Sequence, residues 1–255
     1  MRFTLTLSAN LSENLIPANF QYPFSSWIYR VLNEGNPEFA EFLHSNGYND
    51  NQKRFKLFCF SNLKMAKYKI EGDRFRLLEN PQKLIISFYP IEALEPFILG
   101  IFKNQSFSIG DQKSKVKFTV SSVEKLQQPE FSDQMSFRLL SPVHVVRKNP
   151  FDSKKIEHLH PEHKDFERLF IDNLISKYKA YHGNAGFDST GYKLEILSEP
   201  RSKAITIKQG NKGETVLKSY LFDFKINADK ELIKIGYYAG FGKENSQGFG
   251  FAEIW

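Results

Sequence analysis

One pattern recurs along this chain. A strand, a helix, two strands, a helix and a strand can be read once before the polar stretch Gln127–Asp133 and once more after it. In the first half, apolar and polar residues alternate over about 2–9, helical spacing runs over about 22–34 and 37–46, and strand patterns lie around 55–60 and 67–89, broken by turn residues at Gly72-Asp73 and Asn80-Pro81. A helix near 91–104 and a strand near 115–127 complete it. The second half predicts a strand near 135–147, a helix from Pro161 to about Ala180, strands near 192–208 and 214–226, a short helix near 229–238 and a final strand from about 248.

With the extra hairpin of the first half set aside, each half has the βαββαβ order of a ferredoxin-like unit, so the chain reads as α+β with two such domains in tandem, 1–128 and 129–255. The halves share no evident sequence similarity, and the duplication is inferred from element order alone. The 255 residues suffice for two such domains. A net charge of +6 suits an anionic partner such as nucleic acid, although charge governs association rather than fold. The single cysteine, Cys59, excludes an internal disulfide and a cysteine-based zinc site, and fits a reducing cytoplasm. The amino terminus alternates like a strand and has no apolar run of signal-peptide length, which argues against export and against a membrane.

Five glycines fall within the fifteen positions from Gly236 to Gly250, after a helical pattern and before an aromatic strand. Glycine permits positive φ and close backbone approach, so such a loop suits contact with phosphate. A Walker loop requires Ser or Thr after Gly-Lys, and Glu244 follows Gly242-Lys243 here. A dinucleotide fingerprint from Gly240 requires a third glycine where Asn245 stands, and it opens a helix rather than follows one. Neither motif applies.

The segment Gly240-Phe241-Gly242-Lys243-Glu244-Asn245-Ser246-Gln247-Gly248-Phe249-Gly250 closely resembles the signature loop of the CRISPR-associated repeat-processing endoribonucleases of the RAMP superfamily. Ile28-Tyr29-Arg30, Leu43-His44, the run from Lys56 to Ser61 and the run from Leu140 to Lys148 resemble the same family, in the same order. The resemblance implies catalytic residues at Tyr29, His44 and Lys56, with Lys53 or Arg54 as alternative cations. It implies contacts with repeat RNA from Gly240, Gly242, Lys243, Asn245, Ser246, Gly248 and Gly250. Arg147 and Lys148, and the hairpin residues Arg201, Lys203, Lys208 and Lys212, are further candidates for phosphate contact. The expected partner is CRISPR repeat RNA in a precursor transcript, an effector complex or a second copy of the chain being further candidates. No cofactor and no metal are expected.

The residue types fit cleavage by the RNA's own 2'-OH. A histidine can carry a proton to or from a reacting oxygen near neutral pH. Asn36-Pro37 predicts a helix start and Gly47 its exit, which places His44 in the last turn. Tyr29 is a poor base and a good hydrogen-bond donor, so positioning is its expected role. Lys56 reads as alternating with Phe58 and Phe60 on one strand face, a cation for the phosphate oxygens. A non-catalytic repeat-RNA binding protein or CRISPR effector-complex subunit on the same fold is the alternative. His158, His160 and His163 invite a zinc reading, which an exposed helix start at Pro161 disfavours. Ser141 and His144 are an odd number of residues apart and face opposite sides of a strand.

Overall fold

Phe3, Leu5, Leu7 and Ala9 are buried while Thr4, Thr6 and Ser8 are not, the period-two pattern of a strand packed on one face. In the computed structural model, which describes residues 1–148, 152, 155–184, 186–207 and 213–255, this segment is β1 (Arg2–Ala9). It is followed by β2 (Leu15–Pro17), α1 (Gln21–Gly35), α2 (Pro37–Glu41) and a π turn over Phe42–Asn46. Then come β3 (Tyr48–Asp50), β4 (Lys53–Phe55), β5 (Phe58–Phe60), β6 (Lys67–Glu71), β7 (Arg74–Glu79) and β8 (Gln82–Phe88). Helix α3 (Leu94–Lys103), β9 (Ser106–Gly110) and β10 (Lys115–Lys125) close the first half. The second half comprises β11 (Gln134–Leu139), β12 (Val146–Lys148), β13 (Ile156–His158), α4 (Phe166–His182), β14 (Lys193–Ile196), β15 (Arg201–Ile207), β16 (Thr215–Leu221), β17 (Asp223–Asn227), α5 (Lys230–Ala239) and β18 (Ala252–Ile254).

The fold is α+β, with an antiparallel sheet in each half. The first sheet runs β5-β8-β1-β10-β9, with Leu5 opposite Leu84 on one side and Val123 on the other. Helix α1 covers it with Phe24, Trp27, Ile28, Val31 and Leu32, a stripe at helical spacing that points inward. The crossing of α1 and α3 is close: a Cβ on Gly100 would lie 1.8 Å from the Val31 carbonyl oxygen. The second sheet runs β14-β17-β11-β18, under α4 and α5.

Helix α5 is buried nearly all round because it faces both halves: Ile235 and Ala239 pack with Leu57 from the first. The Arg2 guanidinium lies 3.3 Å from the centroid of the Tyr237 ring and 4.1 Å from that of Phe251, a second link across the junction. A third is made by Glu92, which accepts from the Tyr48 hydroxyl at 2.6 Å and from that of Tyr181 at 3.0 Å.

Several expected boundaries move, each for a local reason. The strand expected over 135–147 is two strands, interrupted at Ser141-Pro142, where proline has no N–H for the ladder. The one over 192–208 breaks at Glu199-Pro200 in the same way. Pro161 is not the first residue of a helix. Residues 161–165 form turns, Asp165 is held by Arg147 and Arg168, and α4 starts at Phe166. β2, β9, β13 and the β3–β4 hairpin are additions to the expected order. Among the described residues, no helix is long and apolar enough to cross a membrane.

Candidate functional site

A cleft of about 790 Å³ opens between the halves. One wall carries Tyr29 from α1, His44 from the π turn, Lys53 and Arg54 from β4, and Lys56 from the link between β4 and β5. The other carries Gly242, Lys243, Glu244, Asn245 and Ser246 of the glycine-rich loop, with Asn173 and Lys177 of α4 beneath. The fold thus gathers Tyr29, His44 and Lys56 at one place and sets the loop against them.

His44 owes its position to the turn. Asn36 caps α2 by accepting from the Phe39 amide, the chain widens after Glu41, and Gly47 at φ +63° closes the π turn with its amide on the Phe42 carbonyl. The imidazole is exposed and meets the Tyr29 ring edge to face, with centroids 5.9 Å apart. Tyr29 also packs edge to face on Phe58, 5.5 Å between centroids. Burial pushes its hydroxyl pKa up to about 12; a hydrogen bond with Ser246 pulls the other way, and Glu244 adds to the rise. At neutral pH Tyr29 is a phenol, a hydrogen-bond donor rather than a base.

Lys56 stands differently from the expectation. Leu57 adopts φ +52°, so the strand stops at Phe55 and resumes at Phe58, and Lys56 does not share a strand face with Phe58 and Phe60. Its ammonium turns back to the π turn, donating to the His44 carbonyl at 2.8 Å and to that of Leu43. Partial burial lowers its pKa, and Arg54 beside it acts in the same direction. Arg54 donates to the Ser45 carbonyl at 3.1 Å, and Lys53 to Ser176 Oγ on α4 at 2.8 Å. The Lys243 ammonium makes no hydrogen bond or salt bridge among the described residues; burial and Lys53 lower its pKa, against Glu244.

The loop's glycines are packing elements. Gly240, Gly248 and Gly250 donate their amides to Gly236, Asn245 and Pro142 carbonyls, so these three N–H groups are already paired. Asn245 is turned inward, its Nδ2 donating to Phe241 O at 2.9 Å and Phe249 O at 3.0 Å. A Cβ on Gly250 would lie 1.8 Å from the Phe241 carbonyl oxygen. With Asn245 turned inward, the polar side chains that the loop brings to the cleft lining are those of Lys243, Glu244, Ser246 and Gln247.

Arg147, Lys148, Arg201 and Lys203 do not line the cleft. Arg147 is paired with Glu157 at 2.7 Å and with Asp165. Lys148, Arg201 and Lys203 are exposed at strand positions, and Lys208 and Lys212 lie outside the described residues. Ser141 Oγ accepts from the Phe251 amide at 2.9 Å while His144 Nδ1 faces the Lys218 carbonyl at 3.0 Å, so they form no nucleophile–base pair. His163 Nδ1 accepts from the Asp165 amide, and the His160 ring packs on Tyr220. Among the described residues no group of three or more His, Cys, Asp or Glu is placed to hold a metal ion. Sequence reasoning missed Lys177; its only signal is a lysine continuing the inward stripe Phe166, Phe170, Leu174 on α4.

Comparison with known proteins supplies the context. Residues 126–254 match the family described as CRISPR associated protein Cas6, C-terminal, and residues 15–124 match CRISPR-associated protein Cas6, N-terminal. The CRISPR-associated endoribonuclease Cas6 1 of Methanocaldococcus jannaschii is 30% identical over 98% of this chain and 91% of its own length. The CRISPR-associated endoribonuclease Cas6 of Pyrococcus furiosus is 27% identical over 100% of the chain and 90% of its own. The solved structure of the product of a Cas6-related gene from Pyrococcus furiosus superposes with a TM-score of 0.84 at 25% identity, covering 100% of this chain and 98% of that one. Another, titled CRISPR associated protein Cas6, gives 0.76 at 28%, covering 100% and 99%.

Proposed function

This chain belongs to the CRISPR-associated Cas6 family, and from that membership we propose that it binds CRISPR repeat RNA in precursor transcripts and cuts within each repeat. The two halves, 1–128 and 129–255, act as ferredoxin-like domains, a reading supported by the equivalent sheet orders β5-β8-β1-β10 and β14-β17-β11-β18. The cut is made by the RNA's 2'-OH without a metal ion. The O2'–P bond forms, the P–O5' bond breaks, the 2'-OH proton leaves to a base and O5' takes up a proton. The ends are a 2',3'-cyclic phosphate and a 5'-hydroxyl.

The observation that carries this reading is the meeting of Tyr29 and His44 in a cleft whose facing wall is the glycine-rich loop. His44 exchanges the proton at one of the two oxygens. Tyr29, a phenol at working pH, donates to the 2'-OH or a phosphate oxygen and orients it. Lys56 holds the His44 turn by its carbonyls, and Lys243, Lys53 and Arg54 supply positive charge for the phosphate.

The test is cleavage of a cognate repeat RNA with EDTA present, beside the same RNA carrying a single 2'-deoxy substitution at the cut site. Cutting of the first and not the second is expected. Cutting of the 2'-deoxy RNA excludes the mechanism. Tight binding of the repeat without cutting replaces it with the non-catalytic binding reading.

A further inference from the structure

Helix α4 presents Phe166, Phe170 and Leu174 to the core, and the next residue on the same stripe is a lysine. Lys177 is 1% exposed and has no carboxylate partner among the described residues. Its ammonium instead donates to the Gly240 carbonyl and, at 2.8 Å, to that of Gly242. Burial of the charge pulls its pKa down to about 7, with the Cys59 thiol a lesser, opposing influence. A buried cation is a poor choice for stability where an apolar side chain of similar length would pack.

Placement gives it a reason. The two carbonyls bracket Phe241, which stacks on Phe170 at 5.6 Å, and Lys243 and Ser246 follow directly in the cleft wall. From the other side the Lys243 amide is held by the His144 carbonyl at 2.8 Å. The residue before Lys177, Ser176, receives the Lys53 ammonium from the hairpin that follows the His44 turn. Adjacent residues of α4 therefore tie down both walls of one cleft.

We propose that Lys177 is a positioning residue whose ammonium, through the Gly240 and Gly242 carbonyls, sets the glycine-rich loop at its working distance from Tyr29 and His44. Its consequence for cleavage rests on the function proposed above; the hold on the loop does not. The titratable and charged groups that share its surroundings are Arg2 and Cys59 in the interior, Lys53, Arg54, Tyr29 and His44 across the cleft, and Lys243 and Glu244 on the loop.

The test uses Lys177→Met in the full chain, with amide hydrogen exchange of residues 243–247 in the free protein and single-turnover cleavage at saturating protein. Exchange there is expected to speed up tenfold or more, while β1 and β8 keep their protection, and cleavage to slow tenfold or more. Unchanged protection of 243–247 overturns the proposal whether or not the wild-type protein cuts RNA. Faster exchange in a protein whose wild-type form cuts nothing upholds the proposal and refutes the function. Cleavage within twofold of wild type despite a loosened loop overturns the working-distance claim. If the methionine variant does not fold, the same exchange is followed in His44→Ala from pH 6 to 8, corrected for intrinsic base catalysis. Protection is expected to fall as the ammonium is lost, and constant protection overturns the proposal.

Discussion

The Tyr29 and His44 rings stand at 87° to one another with centroids 5.9 Å apart, although one belongs to α1 and the other to a π turn fifteen positions later. In the proposed function an exposed imidazole beside a half-buried phenol divides the labour, His44 serving the proton transfer and Tyr29 the orientation. His44→Ala is expected to slow single-turnover cleavage by about 10²- to 10⁴-fold, the range for a lost general acid or base. Binding of a 2'-deoxy repeat should stay within about threefold, since shape and phosphate contacts dominate RNA affinity. Tyr29→Phe keeps the packing on Phe58 and should cost roughly tenfold, about what one hydrogen bond is worth. A rate that keeps climbing from pH 9 to 10 would mean a phenolate base and would overturn this division.

Lys56 offers a sharper discrimination. Its bonds to the Leu43 and His44 carbonyls make it a brace for the turn. Lys56→Met is expected to destabilise the protein by about 1 kcal/mol, below the roughly 1.5–3 kcal/mol of bonds from a charged donor because the half-buried site is screened by solvent. It should also slow cleavage by displacing His44, yet add nothing to His44→Ala in the double variant. A double variant markedly slower than His44→Ala would show that the ammonium acts on the phosphate itself. Thermal melts and single-turnover rates on the four proteins decide it.

What the sequence revealed depended on whether the signal was local. The alternation of Phe3, Leu5 and Leu7 and the stripe Phe24, Trp27, Ile28, Val31 and Leu32 are statements about burial, and they read correctly. His44 at a helix exit followed from Asn36-Pro37 and Gly47. The placement of Lys56 did not, because a leucine at positive φ carries no propensity signal: Leu57 is held by tertiary packing with Ile235 and Ala239. The glycines announced close approach but not to what, and the answer is the protein's own Phe241, Phe60 and His144. Proline marked the breaks at Pro142 and Pro200, although strand periodicity runs on both sides of each.

The contrast between two glycines at similar φ separates conformation from packing. Gly72 at φ +60° has nothing within 4 Å of an added Cβ, whereas at Gly250, φ +71°, that atom would lie 1.8 Å from a backbone oxygen. Gly72→Ala should cost about 1 kcal/mol, the left-handed penalty alone. Gly250→Ala must also move the backbone of the loop and is expected to cost more than about 3 kcal/mol or to prevent folding at 37 °C. Equal melting temperatures for the two variants would mean that the loop is not packed as described.

Acid should act on the far side of that loop. His144 has its pKa pulled down to about 4, chiefly by burial and further by His158 and Lys243, against the bond to the Lys218 carbonyl. Its unfolded value is near 6.5, so between pH 6.5 and 4 the unfolded chain binds the extra proton. The stability this contributes is complete above pH 6.5 and is lost as pH falls through 4. Between pH 7 and 4.5 the loss attributable to His144 is about 2 kcal/mol. Asp111, held near 2 by Arg74 and the Ser114 and Lys113 amides, titrates below that window. Urea unfolding at the two pH values should therefore show His144→Asn losing about 2 kcal/mol less than wild type. Because the His144 carbonyl also holds the Lys243 amide at 2.8 Å, RNA binding should weaken over the same interval. If wild type and variant lose the same stability, another group governs the acid limb.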